Sequence, residues 1–215
     1  MKIAVIGANS TLGRKVVNKA EEKGINVVGM VRTAENLVGS GPLVLKDYHS
    51  LEQEDLEGCH YVVDTVSFPH IDRYSTELLP VWRLLEIMKD SAQKLLCVGS
   101  CSFLYTDKTR QKMVLDDSCL CSDSEDEKSH LRMCVNAFRR LGTNRNVHWG
   151  VLCPPLILDR RGYGAGNLEF GNDIVPMGLD GNSSITLNEF ANAVIELLLR
   201  GFDDHQCISV RSVKD

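Results

Sequence analysis

An α/β fold built on a doubly wound parallel sheet is predicted by three features of this 215-residue chain. Short β-branched apolar runs alternate with segments of helix length. The first run, Ile3 to Ile6, leads into Gly7-Ala-Asn-Ser-Thr-Leu-Gly13, and the amphipathic stretch Arg14 to Lys23 follows. A glycine-rich segment near the C-terminus, 159–184, breaks the alternation and is expected to form a small substrate lobe over the C-terminal edge of the sheet.

Seven runs read as strands: Ile3–Ile6, Val27–Val31, Leu43–Leu45, Tyr61–Val63, Leu95–Val98, His148–Leu152 and Cys207–Val210. Continuous apolar runs of this kind suit strands covered on both faces. Between them, Leu12, Val16 and Ala20 recur at i, i+4 and i+8, and Leu78 to Met88 carries a second apolar stripe. Gly24 suits a left-handed helix stop. Thr186 with Glu189 forms a capping box ahead of Phe190 to Leu199, which Gly201 terminates. The acidic run Cys119 to Glu127 reads as a solvated loop leading into a helix from about Glu127 to Leu141. One domain spanning 1–215, with an irregular lobe at about 159–185, is the expected organisation.

Composition excludes several function classes. A net charge of -5 argues against a surface that tracks nucleic-acid phosphates. No apolar run approaches the roughly 20 residues of a membrane span, so a cytoplasmic protein with no membrane partner is expected. The eight cysteines contain no C-x-x-C pair, and no metal site is expected. Cys97 and Cys153 sit in apolar runs, where a reduced thiol packs as a small hydrophobe.

The glycine turn carries the main chemical signal. A strand ending at Gly7 permits a sharp turn, Gly13 lets the helix approach the sheet, and the unpaired N–H groups at the helix start attract a phosphate. Asn9, Ser10, Thr11 and Leu12 complete the candidate cradle for a dinucleotide. Arg32 lies just past the second strand, at a position where an acid would favour NAD(H) and an arginine favours the 2′-phosphate of NADP(H). NADP(H) is therefore preferred, with NAD(H) the alternative; a solvated surface arginine is the competing reading. Asp47 can face the adenine or form a turn. Thr65, Val66 and Gly99 follow later strands and should flank the cofactor.

These residues resemble a known group. The opening Gly7 to Gly13, Arg32, Leu96-Cys-Val-Gly-Ser-Cys-Ser-Phe-Leu104, Trp149-Gly-Val-Leu-Cys-Pro-Pro155 and the run Gly171 to Ala191 are similar to atypical short-chain dehydrogenase/reductases, in particular the NADH-flavin reductase-like group. The resemblance implies a Rossmann-type sheet with a small C-terminal substrate lobe. Ser129 to Cys134, followed by Cys153-Pro-Pro155, also resembles the biliverdin-IXβ/flavin reductases, which reduce flavins and tetrapyrroles with NADPH. That branch commonly carries histidines where Cys134 and Leu156 stand, so tetrapyrrole reduction is not expected. Ser10 stands where the family usually has glycine, and adds a hydroxyl donor at the cradle.

The superfamily's usual alcohol chemistry uses a Tyr-x-x-x-Lys pair, and none of the five tyrosines here has a lysine four residues later. Hydride transfer to a flavin or similar planar acceptor needs only ring stacking and a weak proton donor. Ser100 and Cys101 are candidates to contact the nicotinamide or the acceptor, with Cys153, Pro154 and Pro155 as the floor. His130 is the candidate proton donor, since imidazole titrates near neutral pH. Each has a structural alternative: a solvated histidine, a turn hydroxyl, a packed thiol. The expected partner is a small-molecule acceptor, and the chain is expected to act as a monomer or homodimer. Two other functions stay open: a catalytically weak redox sensor that binds the dinucleotide, and an epimerase or dehydratase with tightly held NAD. Arg32 and the missing tyrosine weigh against the last.

Overall fold

The computed structural model describes residues 1–68, 79–117, 124–162, 164 and 166–213. In chain order the strands are β1 (Lys2–Ile6), β2 (Asn26–Val31), β3 (Leu43–Leu45), β4 (Tyr61–Asp64), β5 (Lys94–Val98), β6 (His148–Cys153), β7 (Ile157–Asp159), β8 (Asn167–Gly171), β9 (Ser184–Thr186) and β10 (Gln206–Val213). The helices are α1 (Thr11–Glu22), α2 (Pro80–Ile87), α3 (Glu125–Leu141) and α4 (Leu187–Arg200). Eight strands form one sheet in the order β3-β2-β1-β4-β5-β6-β10-β8, and β7 pairs with β9 separately. All neighbours in the large sheet run parallel except β8, which lies antiparallel to β10. This is a doubly wound Rossmann-type sheet, and the seven strands expected from apolar runs make up its parallel part.

Alternation along each central strand sends side chains into two cores. On β1, Ala4 and Ile6 join the core under α2 and α3, while Ile3 and Val5 join the core under α1 and α4. Leu95 and Cys97 of β5 face the first core, Leu96 and Val98 the second. The helices supply matching stripes: Leu12, Val16, Val17 and Ala20 of α1 against Phe190, Val194 and Leu197 of α4 on one side, and Val81 and Leu84 of α2 with Cys134 and Leu141 of α3 on the other. Each fully buried Val or Leu contributes roughly 1.5–3 kcal/mol.

The helix boundaries differ slightly from those expected. Helix α1 begins at Thr11, because Ser10 caps it from extended backbone (φ -70°, ψ 165°). Helix α2 begins at Pro80, whose fixed φ suits a first helical position; Leu78 lies outside the described residues. Residues 118–123 of the acidic run also lie outside them, and α3 is helical from Glu125. The capping box ahead of α4 is present, with Thr186 and Glu189 bonding each other's backbone N–H groups.

The segment 159–184 holds more regular structure than its glycines suggested. Asn167-Leu-Glu-Phe-Gly171 alternates polar and apolar residues, and Leu168 and Phe170 pack on the core under α4 while their neighbours face away. That two-residue period marks an edge strand, obscured in the sequence by the glycines on either side. A single carboxylate organises the surroundings. Glu189, only 6% exposed, accepts hydrogen bonds from Gly166 N and Ser212 Oγ on one oxygen and Thr186 N on the other, each at 2.9 Å. It therefore ties the start of α4 to the approach to β8 and to β10. Burial alone would raise its pKa, but these bonds outweigh that and hold it below the ordinary glutamate value.

Gly13 packs so tightly on the β1–α1 turn that a Cβ there would collide with the carbonyl oxygen of Gly7. Gly13→Ala is expected to destabilise the protein by about 1–3 kcal/mol, measured by chemical denaturation, because the obstacle is backbone and cannot swing aside. Glu189→Gln leaves one N–H facing an amide that cannot accept it, for an expected loss of about 1–3 kcal/mol. Since the folded-state pKa of Glu189 is depressed, its contribution is present above about pH 4.3 and is lost as pH falls through the lower folded value. The Gln variant should accordingly show a shallower loss of stability on acidification than wild type.

Candidate functional site

The C-terminal ends of β1, β4, β5 and β6 converge on a cleft of about 320 Å³. Its first wall is the β1–α1 turn. Gly7 turns the chain at φ +74°, its N–H donating to Met30 O at 2.9 Å and its carbonyl accepting from Ser10 N at 2.8 Å. Any Cβ on Gly7 would run into Val66 of the neighbouring turn, so the glycine is needed for conformation and for space. Of the first four N–H groups of α1, Gly13 N donates to Ser10 Oγ at 2.9 Å and Arg14 N to Ser10 O at 3.0 Å. The N–H groups of Thr11 and Leu12 have no acceptor among the described residues. They lie at the positive end of a 12-residue helix and border the cleft.

Ser10 plays a different part from the one expected of its hydroxyl. Thr65 Oγ1 donates to Ile6 O at 2.8 Å, so in its 3.2 Å contact with Ser10 Oγ the serine is the donor. Both capacities of the Ser10 hydroxyl are thereby used inside the protein, as a helix cap and as a link to the β4 turn. Its φ lies outside the left-handed region, so the backbone here does not require glycine.

Asn9 Nδ2 donates to the carbonyls of Thr33 and Glu35, each at 3.1 Å, tying the glycine turn to the loop after β2. Arg32 stands exposed on that loop, its guanidinium 5.3 Å from the ring centroid of buried Tyr48. Burial pushes the Tyr48 phenol above its ordinary pKa, and the Arg32 charge opposes the rise. Asp47 is exposed and accepts from His49 N at 2.9 Å; it forms the turn into Tyr48–Ser50, the second of its two expected roles. The turn carrying Thr65 and Val66 is held by Asp64, a fully buried carboxylate that accepts from Val66 N and Ser67 N at 3.0 Å each. Burial raises the Asp64 pKa, against the pull of these bonds.

The far wall comes from the ends of β5 and β6 and from α3. Gly99 lies close against Val151 and Cys153, leaving no room for a side chain. Ser100 caps the short turn Cys101–Phe103, accepting from Ser102 N at 3.2 Å and Ser102 Oγ at 2.9 Å. That leaves its own O–H hydrogen free to donate toward the cleft, which Ser100 lines. Cys101, half-buried His130 and Pro154 also line it, with Thr65 between the two walls. Cys134, one helical turn beyond His130, is only 1% exposed, and burial pushes its thiol up to about 11. It cannot exchange protons near neutral pH.

The cleft thus gathers nine of the expected residues: Thr11, Leu12, Thr65, Gly99, Ser100, Cys101, His130, Pro154 and Pro155. Cys153 is a correction to the expected floor. It is fully buried beneath Gly99, with its Sγ 3.4 Å from Cys207 Sγ. Burial, and then the neighbouring Cys207, push its thiol well above the ordinary range. The floor is formed by Pro154 and Pro155. Sequence reasoning missed Phe68, Leu158, Arg160, Leu187 and Phe190, all of which line the cleft. Among the described residues there is no group of three potential metal ligands and no helix long and apolar enough to cross a membrane.

No family model matches the chain. It is 27% identical over 204 residues to the uncharacterized protein YwnB of Bacillus subtilis, a match covering 92% of each chain. The structure of a putative NADH-flavin reductase from Streptococcus pneumoniae superimposes with a TM-score of 0.88 at 23% identity, covering 99% of this chain and 100% of that one. A putative epimerase from Bacteroides thetaiotaomicron superimposes with a TM-score of 0.82 at 18% identity, covering 100% and 98%. The shared property is the Rossmann-type fold, which serves both named chemistries and does not choose between them.

Proposed function

We propose that this protein binds NADP(H) in preference to NAD(H) and reduces a flavin or similar planar acceptor. The observation that carries the reading is the cleft itself. It joins a helix start with two unpaired N–H groups to an apolar recess at the ends of the central strands. The fit to a dinucleotide is local and steric: Gly7 and Gly13 leave the turn without side chains, and the Thr11 and Leu12 N–H groups, with no acceptor among the described residues, are available to a phosphate.

When bound, the nicotinamide supplies the hydride. Thr11 and Leu12 would hold the pyrophosphate, and Arg32 would pair with the 2′-phosphate while resting on Tyr48. Gly99, Ser100 and Pro154 would orient the ring, the Ser100 O–H donating to its carboxamide. Phe68, Pro155 and Leu156 exclude water from the recess. An imidazole nitrogen of His130 would deliver the proton that accompanies the hydride. Cys101 borders the acceptor.

One observation favours the second reading, a redox sensor. His130 has no hydrogen-bond partner among the described residues, and Cys134 is too hard to ionise to act with it, so α3 lacks a coupled acid–base pair. Oxidation of NADPH against FMN, FAD, riboflavin, quinones and biliverdin separates the two. Turnover with a flavin is the expected result; tight NADPH binding with no acceptor-dependent oxidation would establish the sensor instead. Arg32→Ala is expected to weaken NADPH binding by about tenfold or more and leave NADH unchanged, as read by titration of dinucleotide fluorescence. Equal affinities for the two dinucleotides in wild type would overturn the NADP(H) preference. His130→Ala should lower kcat by roughly 10²-fold with little change in the KM for NADPH.

A further inference from the structure

We infer that Arg160 binds the pyrophosphate of the bound dinucleotide together with the α1 N-terminus, from the same wall of the cleft. This assignment rests on the dinucleotide reading above and adds to it a residue outside the glycine turn.

The cleft has two chemically different walls. Leu12, Leu158, Leu187 and Phe190 belong to the core under α1 and α4, whereas Phe68, Cys101, Cys134 and Leu156 belong to the core under α2 and α3. Arg160 follows directly on β7, whose Asp159 pairs with Thr186, the N-cap of α4. Its backbone therefore sits on the wall that also carries Thr11 and Leu12. The start of α1 reaches the cleft on this side, whereas the start of α4 is occupied by the Glu189 carboxylate. The α1 start contributes a partial positive charge of roughly half an elementary unit. Arg160 adds a full one.

Among the described residues no Asp or Glu lines the cleft, and the opposite wall carries no Lys or Arg. Arg160 has no ion-pair or hydrogen-bond partner among the described residues, although arginines elsewhere are paired, as Arg110 is with Asp173 and Arg211 with Glu169. An arginine fork left open on the wall that carries the unpaired N–H groups matches an oxyanion with several acceptor atoms, as a pyrophosphate has. The opposite wall suits the rings. Because the pyrophosphate is common to NADPH and NADH, Arg160 should not discriminate between them. That distinguishes it from Arg32.

The test is direct binding of NADPH and NADH, and of 2′-AMP as a probe lacking both phosphates of the pyrophosphate, to wild type, Arg160→Gln and Arg160→Lys. The side chain is exposed, so both variants should melt with wild type. Arg160→Gln is expected to weaken both dinucleotides by about tenfold and to flatten the dependence of affinity on salt; Arg160→Lys should recover part of the loss. Binding of 2′-AMP should not change. Dinucleotide affinities within twofold of wild type would overturn the assignment. So would a loss confined to NADPH, or one seen only in the KM for the acceptor. If wild type binds neither dinucleotide, the underlying cofactor reading falls, and the Arg160 assignment with it; this is distinct from a wild type that binds and a Gln variant that binds equally well.

Discussion

The contact on which the rest of the structure depends is the seating of α1 against the end of β1, where Gly13 lies over the carbonyl of Gly7. Two consequences follow from one close approach. The helix packs down on the sheet, burying Val16, Val17 and Ala20 in the core it shares with α4. Its N-terminus is also fixed beside the ends of β4 and β5, where the cleft opens. A bulkier residue at either glycine would separate the helix from the sheet and the N–H groups from the cleft together. Stability and the candidate binding function are thus coupled through the same few atoms.

Around that contact, polar groups are arranged to hold backbone. Ser10 both caps α1 and bonds Thr65, so the turn after β1 and the turn after β4 move as one unit. Asp64 fixes the second turn from below, and Glu189 fixes the start of α4 from the other side of the sheet edge. Both carboxylates are buried, and both are placed to accept backbone N–H groups, which is how a charge survives removal from water. Their pKa values move in opposite directions. Glu189 has three good donors and is depressed; Asp64 is raised by burial, with one oxygen lacking a partner among the described residues.

The cleft differs from one built for alcohol oxidation. Its α3 wall carries His130 and a thiol too buried to ionise, and Ser100 is bonded to its own turn while keeping one hydrogen for a ligand. Such a wall can orient a ring and pass a single proton, but it offers no relay. A reaction whose difficult step belongs to the cofactor asks for no more. The positive charge lies on the opposite wall, so the two ends of a dinucleotide would meet different surroundings.

Most of the architecture was legible in the sequence because it is written locally. An apolar run between turn residues becomes a covered strand, and a 3.6-residue stripe becomes a helix packed on it, whichever neighbours they find. The glycine turn was legible for the same reason: its strand, its bend and its helix are contiguous. Strand β8 was missed because its alternation spans only five residues between glycines, and Arg160 because nothing local distinguishes a loop arginine that faces a cleft from one that faces water. Ser10 and Cys153 show the limit most clearly. Their residue types suited a ligand, but where a hydroxyl proton points, or whether a thiol lies on a floor or beneath it, depends on Thr65 and Gly99, far away in sequence or packed from another strand. The sequence by itself determined the sheet, the helix faces and the phosphate-sized turn. The tertiary structure decided which polar atoms remain free to bind, because that depends on long-range partners that no local pattern records.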